Sequence, residues 1–174
     1  MNGCIHAPYK SLDKTRNDLA LFFGELGFKS GAEIGVFRAR YSRILCGFIP
    51  GLSIKCVDPW PRKNCEWRLR RFDAEIIKKT SMEAVREIPD NFLDFVYIDA
   101  NHEFDFVMSD IIFWSDKVRS GGIVSGHDYQ PPQWGNGVKT AVYAYTREHN
   151  IDKWYLTCEE SVKDNNPSWF WVKP

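Results

Sequence analysis

The sequence predicts an α/β fold, in which a mostly parallel central sheet of about seven strands carries helices on both faces. Two observations lead to this class. Short apolar runs alternate with longer segments of helical periodicity through the first two-thirds of the chain, a pattern typical of right-handed βαβ units. The last two apolar runs, residues 154–158 and 169–172, are separated by a polar turn. We therefore expect an antiparallel hairpin at the C-terminal end.

The first predicted element is an amphipathic helix in a helical lead-in that covers residues 1–30. Ser11 and Asp13 are both suited to cap its start, and Gly27 offers a stop after the last apolar residue of the stripe. Four strands are expected before residue 100, because four short apolar runs are bounded by turn residues. They cover residues 31–36, 52–57, 75–78 and 93–98.

Helices are predicted where apolar residues recur every three or four positions. They cover residues 41–48, 81–87, 104–118 and 138–145. Gly121-Gly122 is expected to end the third of these helices and to begin a fifth strand over residues 123–125. Strands and helices thus alternate along the chain, as a parallel sheet requires.

Length and composition limit the classes of protein that the chain can belong to. We expect residues 1–174 to form a single domain, because 174 residues is an ordinary domain length. Lys and Arg total 23, as do Asp and Glu, so no net field favours nucleic acid or a membrane surface as partner. Five scattered cysteines without a C-x-x-C pair argue against a disulfide framework. These features predict a cytoplasmic protein.

Polar residues directly follow two of the predicted strands. Asp99 and His102 follow the fourth strand, and His127 and Asp128 follow the fifth. In open parallel sheets, ligands bind outside the carboxyl ends of the strands. We therefore expect these four side chains to serve one site.

Two other strand ends have the pattern of a nucleoside site. Glu33-x-Gly35 ends the first strand, and Asp58 ends the second, 23 residues after Gly35. The glycine lets the backbone approach a ligand, and an acid about twenty residues later can accept both ribose hydroxyls. The alternative is a turn glycine beside a solvated acid. Residues 37–40 lack the glycines that a pyrophosphate site needs, which disfavours a dinucleotide.

Four motifs occur in the order in which one enzyme superfamily carries them. They are Ala32-Glu33-Ile34-Gly35-Val36, Val57-Asp58-Pro59-Trp60, Tyr97-Ile98-Asp99-Ala100-Asn101-His102 and Gly121-Gly122-Ile123-Val124-Ser125-Gly126-His127-Asp128-Tyr129. Over residues 31–145 the chain resembles class I S-adenosylmethionine-dependent methyltransferases, which have a Rossmann-like fold. Within them it is most similar to the small-molecule O-methyltransferase branch, which includes macrocin-type, catechol and caffeoyl-CoA enzymes.

The resemblance implies S-adenosylmethionine as cofactor. Glu33 and Gly35 match the loop beside its methionine part, Asp58 matches the acid that holds the ribose, and Ser81-Met82 would lie near the adenine. The cofactor-binding residues implied in this way, with their neighbours, are Glu33, Gly35, Val36, Phe37, Asp58, Pro59, Trp60, Ser81, Met82 and Asp99.

The resemblance also implies a divalent metal, as in the metal-dependent members, with Asp99, His127 and Asp128 as its ligands here. The family usually carries Asp-Asp or Asp-Asn where this chain has His127-Asp128. An imidazole suits manganese or another transition metal better than magnesium. His102 matches a position that carries a catalytic lysine in catechol-type members.

The expected reaction is the methylation of a hydroxyl group on a small molecule or sugar. Asp99, His102 and His127 are the candidate catalytic residues. His102 could take the hydroxyl proton, or it could only orient Asp99 or bind the cofactor by hydrogen bonds. Asp99 could instead cap the following helix. His127 could be a metal ligand, a base or a structural histidine.

Two further expectations concern the surroundings of the site. Aromatic residues at strand ends could wall the acceptor pocket, and these are Phe37, Trp60, Tyr129 and Trp134. The alternative function is an accessory domain that binds S-adenosylmethionine or a nucleoside without methyl transfer, because the glycine-rich loop keeps one glycine. A homodimer is left open.

Overall fold

The computed structural model describes residues 15–129, 137–157 and 166–174. In this part of the chain, seven strands alternate with six α-helices. The strands are β1 (Ser30–Ile34), β2 (Ser53–Val57), β3 (Asp73–Ile77), β4 (Leu93–Ile98), β5 (Val118–Gly126), β6 (Trp154–Leu156) and β7 (Trp169–Val172). The helices are α1 (Arg16–Glu25), α2 (Arg40–Phe48), α3 (Cys65–Leu69), α4 (Ser81–Ala84), α5 (Phe104–Lys117) and α6 (Gly137–Glu148), and a 3₁₀ turn at Val85–Glu87 extends α4.

The strands form one sheet in the order β3-β2-β1-β4-β5-β7-β6. Strands β1 to β5 are parallel, and β7 pairs antiparallel with both β5 and β6. The predicted fold class is confirmed, including the antiparallel C-terminal pair. The strand order reverses between β1 and β4, and open α/β sheets bind ligands at such a switch point.

The sheet has a hydrophobic core on each face. In β4, Phe95 and Tyr97 face the core that contains residues of α1 and α2, whereas Val96 and Ile98 face the core that contains residues of α5 and α6. All four side chains are buried. The continuous apolar run that predicted β4 results from this burial on both faces.

The lead-in helix begins later than predicted. Thr15 is the N-cap of α1: its hydroxyl accepts a hydrogen bond from the Asn17 amide at 3.2 Å, and the Asp18 carboxylate accepts one from the Thr15 amide at 2.8 Å. The predicted caps, Ser11 and Asp13, are wrong for this helix and lie outside the described residues. Only Thr15 is followed three residues later by an acid, which completes a capping box.

The boundary between α5 and β5 was also predicted wrongly. Val118 has an extended backbone (φ −79°, ψ 136°) and pairs with Leu93 of β4, so Gly121-Gly122 lies within β5 and not at a helix end. Val118 is buried as the first strand residue, and it would also fit the buried stripe of a helix. Apolar spacing therefore could not locate this boundary.

One predicted strand has different bounds in the structure, and some predictions fall on residues outside the described ranges. Strand β3 begins and ends earlier than the predicted 75–78. Trp134 and Cys158 lie outside the described residues, as does most of the predicted final turn. Among the residues that the structure describes, no helix is both long enough and apolar enough to cross a membrane.

Candidate active site

The carboxyl ends of β1, β2 and β4, together with the segment after β3, open into one cleft of about 1190 Å³. Arg16 at the start of α1 and the first turns of α5 also line it. All ten residues that the resemblance implied for cofactor binding line this cleft. The sheet therefore brings residues of three of the four sequence motifs, and Ser81-Met82, to one cleft.

Gly35 brings the first loop, residues 35–39 between β1 and α2, into contact with the end of β4. Its φ is +94°, and a Cβ atom here would lie 2.1 Å from the carbonyl oxygen of Asp99. The Asp99 amide in turn donates a hydrogen bond to the Ile34 carbonyl at 2.7 Å. Only glycine fits both this conformation and this close approach. The loop and the strand end that carries Asp99 thus form one packed unit.

Two other residues of this loop adopt the left-handed conformation. The φ angles are 48° at Phe37 and 52° at Ala39, so the alternate positions 35, 37 and 39 all have positive φ. This conformation costs a residue other than glycine roughly 1–2 kcal/mol. The loop keeps the backbone shape of a glycine-rich loop although it contains a single glycine.

Asp58 connects two loops at the mouth of the cleft. Its carboxylate oxygens accept hydrogen bonds from the backbone amides of Phe37 at 2.6 Å and Trp60 at 2.7 Å. Each oxygen retains further acceptor capacity, so Asp58 can also accept from two ribose hydroxyls. The Phe37 and Trp60 rings are exposed and line the cleft.

Glu33 is the buried acid at the end of β1. It is 2% exposed and accepts a hydrogen bond from the Ser42 hydroxyl. Burial raises the pKa of Glu33 to about 8, so this carboxyl group is protonated at neutral pH. A cationic ligand group nearby would favour its ionised form.

A group of charged side chains lies where β4 and β5 end. The Nε2 atom of His102 is 3.0 Å from Oδ2 of Asp128 and 3.8 Å from Oδ1 of Asp99. The Nη1 atom of Arg16 is 3.8 Å from the other Asp99 oxygen. The carboxylates of Asp128, within hydrogen-bond distance, and of Asp99, somewhat farther away, raise the pKa of His102 to about 10. His102 is therefore positively charged at neutral pH in this arrangement.

Asp128 is the most strongly stabilised anion of this group. Burial opposes its ionisation, but hydrogen bonds from His102 and His127 hold the pKa of Asp128 well below its usual range. The Nδ2 atom of Asn166 also donates to Asp128 Oδ1 at 2.6 Å. The Trp169 indole donates to the His127 carbonyl at 3.2 Å, so β7 and the residues before it help to hold the end of β5.

The geometry brings His102, and not His127, between the two carboxylates. Asp99, His102 and Asp128 each offer a ligand atom, and these three atoms lie within 4.8 Å of one another. The His127 side chain is 5% exposed and has its Nδ1 3.2 Å from Asp128 Oδ1, and neither His127 nor Asp128 is among the residues that line the cleft. Two carboxylates and one imidazole suit a transition metal better than magnesium.

Only some of the aromatic residues predicted to wall the acceptor pocket line the cleft. Phe37 and Trp60 do, whereas the Tyr129 ring packs on the Trp154 ring, with 5.5 Å between the ring centroids.

The segment after β3 forms the far end of the cleft. The Ser81 hydroxyl donates to Oδ1 of Asp110 and accepts from the Trp114 indole at 2.7 Å. Asp110 is 4% exposed, and burial raises its pKa to about 6. Met82 lines the same part of the cleft.

Sequence reasoning missed Arg16 and Asp110. Asp110 stands on the apolar stripe of α5, three residues after Val107 and one before Ile111. An acid on a buried helix face is a detectable signal, because it needs a polar partner. Arg16 has no such signal, since only the packing of α1 brings it to Asp99.

A sequence model of the family described as a methyltransferase domain matches residues 32–129, more than half of the chain. The chain belongs to this methyltransferase family. The match covers β1 to β5 and thus all four motifs, and it confirms the resemblance to class I enzymes. No curated protein matches the sequence.

Solved structures with the same fold act on different acceptors. An O-methyltransferase from Bacillus cereus in complex with SAH has a TM-score of 0.70 and 12% identity, covering 95% of this chain and 84% of that one. The N-methyltransferase NodS from Bradyrhizobium japonicum has a TM-score of 0.68 and 12% identity, covering 91% of this chain and 94% of that one. An rRNA methylase from Streptococcus thermophilus has a TM-score of 0.68 and 11% identity, covering 94% of this chain and 99% of that one. At these identities the likeness shows the fold alone.

Proposed function

We propose that this methyltransferase transfers the methyl group of S-adenosylmethionine to a hydroxyl group of a small molecule or sugar, with a divalent cation at one end of the cleft. The observation that carries the proposal is the Asp99–His102–Asp128 cluster. It adjoins a cleft whose other strand ends suit a nucleoside. Nucleic acid is not the proposed acceptor, because the chain has no net positive charge.

The residues of the cleft fit S-adenosylmethionine, which supplies an electrophilic methyl group when bound. Asp58 can accept the ribose hydroxyls, and Gly35 lets the backbone lie close to the chain of the ligand. Glu33, Asp58 and Asp99 give the cleft three carboxyl groups, which favour a cofactor with cationic amino and sulfonium groups. Oriented binding alone can lower the barrier by about 7 kcal/mol or more.

The charged cluster favours a hydroxyl acceptor over an amine. A hydroxyl must lose a proton to become a good nucleophile, whereas a neutral amine already has a free lone pair. A divalent cation supplies a Lewis acid that lowers the pKa of a bound hydroxyl. Asp99, His102 and Asp128 would hold it, and Arg16 would keep Asp99 in position.

His102 has to lose its own proton before it can serve as a ligand or as a base. Because its pKa is about 10, it does neither at neutral pH while no cation is bound to the two carboxylates. Neutralising Asp99 and Asp128 with a cation would remove the interactions that raise its pKa. The cluster can therefore exchange a proton for a metal.

The test measures transfer of labelled methyl from S-adenosylmethionine to matched hydroxyl and amine acceptors, such as catechol beside o-phenylenediamine and glucose beside glucosamine. We expect product from hydroxyl acceptors, loss of activity in EDTA and recovery with Mn²⁺. Asp128→Asn and Asp99→Asn are expected to lose on the order of 10²-fold or more of the rate, and Asp128→Asn is expected still to bind SAH. Asp73→Asn, exposed at the start of β3, is the matched control.

Each part of the proposal has its own contrary result. Full activity in EDTA and in Asp128→Asn would show that the reaction does not need the proposed cation. Transfer to the amine acceptors alone would replace O-methylation by N-methylation. SAH binding without transfer to any hydroxyl would favour the accessory binding domain, and no SAH binding would end the proposal.

A further inference from the structure

A second surface lies beside the mouth of the cleft, where residues 60–71 pack on the first loop. The backbone amide of Arg62 donates a hydrogen bond to the Phe37 carbonyl at 2.8 Å, and the Cys65 thiol donates to the same oxygen at 3.2 Å. We call residues 37–43 and 60–71 together the aromatic–basic surface. The proposed methyl transfer gives its cations no role.

The exposed cations of this surface form no ion pair with any acid among the residues that the structure describes. They are Arg38, Arg40, Arg43, Arg62, Lys63, Arg70 and Arg71. Glu66 is the one acid in the two segments, and it pairs with Lys78 at 3.0 Å. Exposed cations elsewhere do have partners, such as Lys79 with Glu87. The balanced total charge of the chain is therefore unevenly distributed, and this surface has an excess of positive charge.

Three large aromatic rings lie among these cations. Trp60 is 83% exposed, Trp67 63% and Phe37 51%. The Arg70 guanidinium carbon lies 4.4 Å from the centre of the Trp67 ring, and those of two other arginines lie 5.0 and 5.1 Å from the centre of the Phe37 ring. A guanidinium group that stacks on a ring can still donate from its edge to phosphate oxygens. The surface thus combines apolar rings with phosphate-binding groups.

This combination fits an anionic membrane surface better than a nucleic acid strand. Tryptophan rings beside arginine and lysine are typical of the headgroup layer, where the rings meet the acyl boundary and the cations meet phosphates. Single strands bind by stacking their bases on aromatic faces, but guanidinium groups already lie over the Phe37 and Trp67 rings. Trp60 contacts no other ring in the described part of the chain, so it is the ring best placed to enter a lipid layer.

We propose that the aromatic–basic surface binds anionic phospholipid headgroups and thereby holds the mouth of the cleft against a membrane surface. The cations bind lipid phosphates, and the Trp60 ring enters the interface. Each Lys or Arg close to an anionic bilayer strengthens binding by about 5-fold, so several of them together give reversible attachment. The inference goes beyond the proposed function and does not depend on it, because lipid binding requires no methyl transfer.

The experiment measures sedimentation of the full chain with sucrose-loaded vesicles, without cofactor. One set of vesicles is phosphatidylcholine alone, and the other also contains phosphatidylglycerol. We expect binding to the anionic vesicles and little binding to phosphatidylcholine. Binding should fall by about tenfold or more when salt is raised from about 0.1 M to about 1 M, since the Debye length shrinks from about 10 Å to about 3 Å.

The first variant removes three exposed cations that lie outside the cleft lining. It combines Lys63→Gln, Arg70→Gln and Arg71→Gln. We expect it to bind anionic vesicles about 100-fold more weakly than the unmodified protein, because three contributions are lost. Its methyl-transfer rate on a water-soluble acceptor should be unchanged.

The matched control also removes three exposed cations, at positions outside the aromatic–basic surface and without an ion pair among the described residues. It combines Arg86→Gln, Arg147→Gln and Lys153→Gln. The two triple variants have the same net charge, so a difference between them reports the location of the charge. The control should bind anionic vesicles far more tightly than the first variant.

Trp60→Ala tests the ring. We expect about tenfold weaker binding to anionic vesicles, because the apolar area that enters the interface is lost. Tyr143→Ala is its control, since Tyr143 is a 57% exposed aromatic residue of α6, and it should bind as the unmodified protein does. Unchanged binding by Trp60→Ala would overturn the insertion of that ring.

Three results would overturn the inference. They are no binding of the unmodified protein to anionic vesicles, equal binding to both kinds of vesicle, and equal binding by the two triple variants. A fluorescent single-stranded oligonucleotide is the competing probe, and binding to it without binding to vesicles would assign the surface to nucleic acid. Thermal unfolding checks each variant, and the triple variants decide if Trp60→Ala does not fold. The acceptor assay tests methyl transfer separately, so either proposal can fail without the other.

Discussion

The two ends of the cleft are built by different means. Where β1 and β2 end, backbone conformation determines the shape: positions 35, 37 and 39 have positive φ, and Asp58 binds two backbone amides. Where β4 and β5 end, charged side chains determine it, with His102 between Asp99 and Asp128. The backbone-defined end should therefore respond to added side-chain atoms by losing stability. The charge-defined end should respond to lost charge by changing its proton affinity.

The largest effect is expected for Gly35→Ala at the backbone-defined end. The new Cβ would lie 2.1 Å from the Asp99 carbonyl oxygen, at a φ of +94°. We expect a loss of about 3 kcal/mol or more in the free energy of unfolding. Thermal unfolding should show it as a fall in Tm of roughly 6–12 °C.

Gly47→Ala is the control for this substitution, because nothing lies within 4 Å of a Cβ added to that exposed residue of α2. It should stabilise the protein by about 0.5–1 kcal/mol, the helical advantage of alanine over glycine. Equal stability of Gly35→Ala and unmodified protein would mean that the first loop does not pack on the end of β4.

Asp128→Asn should act on protons at the charge-defined end. The pKa of His102 should fall from about 10 toward its ordinary 6.5, and an NMR titration of the histidine ring protons would follow it. Because the folded pKa is raised, this ion pair stabilises the protein fully below pH 6.5, and the contribution is lost as pH rises through about 10. The deficit of Asp128→Asn should thus be greatest at acid to neutral pH.

Asp105→Asn serves as the comparison here, since Asp105 is an exposed acid in the first turn of α5 and does not contact His102 by any ion pair among the described residues. An unchanged His102 titration in Asp128→Asn would mean that Asp99 alone sets its charge. The two ends would then differ less than the distances indicate.

The smallest effect separates backbone strain from side-chain contacts at Phe37. Phe37→Ala and Phe37→Gly both lose the ring, which Arg38 and Arg62 flank at 5.1 and 5.0 Å, but only glycine relieves the φ of 48°. We expect Phe37→Gly to be more stable than Phe37→Ala by about 1 kcal/mol in chemical unfolding. The same two substitutions at Phe113, which is exposed within α5, should rank the other way. Phe113→Ala should be more stable than Phe113→Gly by about 1 kcal/mol, because alanine favours the helix.

Sequence reasoning worked best where a feature depends on local spacing. The alternation of strands and helices predicted the fold class, and the strand ends at Gly35, Asp58 and Asp99 proved to line one cleft. It was less successful at element boundaries such as Thr15 and Val118. A cap depends on a single side-chain hydrogen bond, and a buried valine fits a helix and a strand equally well.

The order of the elements, the two-sided burial of the sheet and the strand ends that carry the motifs could be predicted from the chain, because periodicity and covalent spacing encode them. The position of His102 between the two carboxylates, and the reach of Arg16 and Asp110 into the cleft, depend instead on tertiary packing. At a strand end, the turn geometry of a few residues, such as the φ of 56° at Asp128, sets where each side chain points. Which helix residues meet that strand end depends on how the helices pack across the whole sheet, and no local pattern records it.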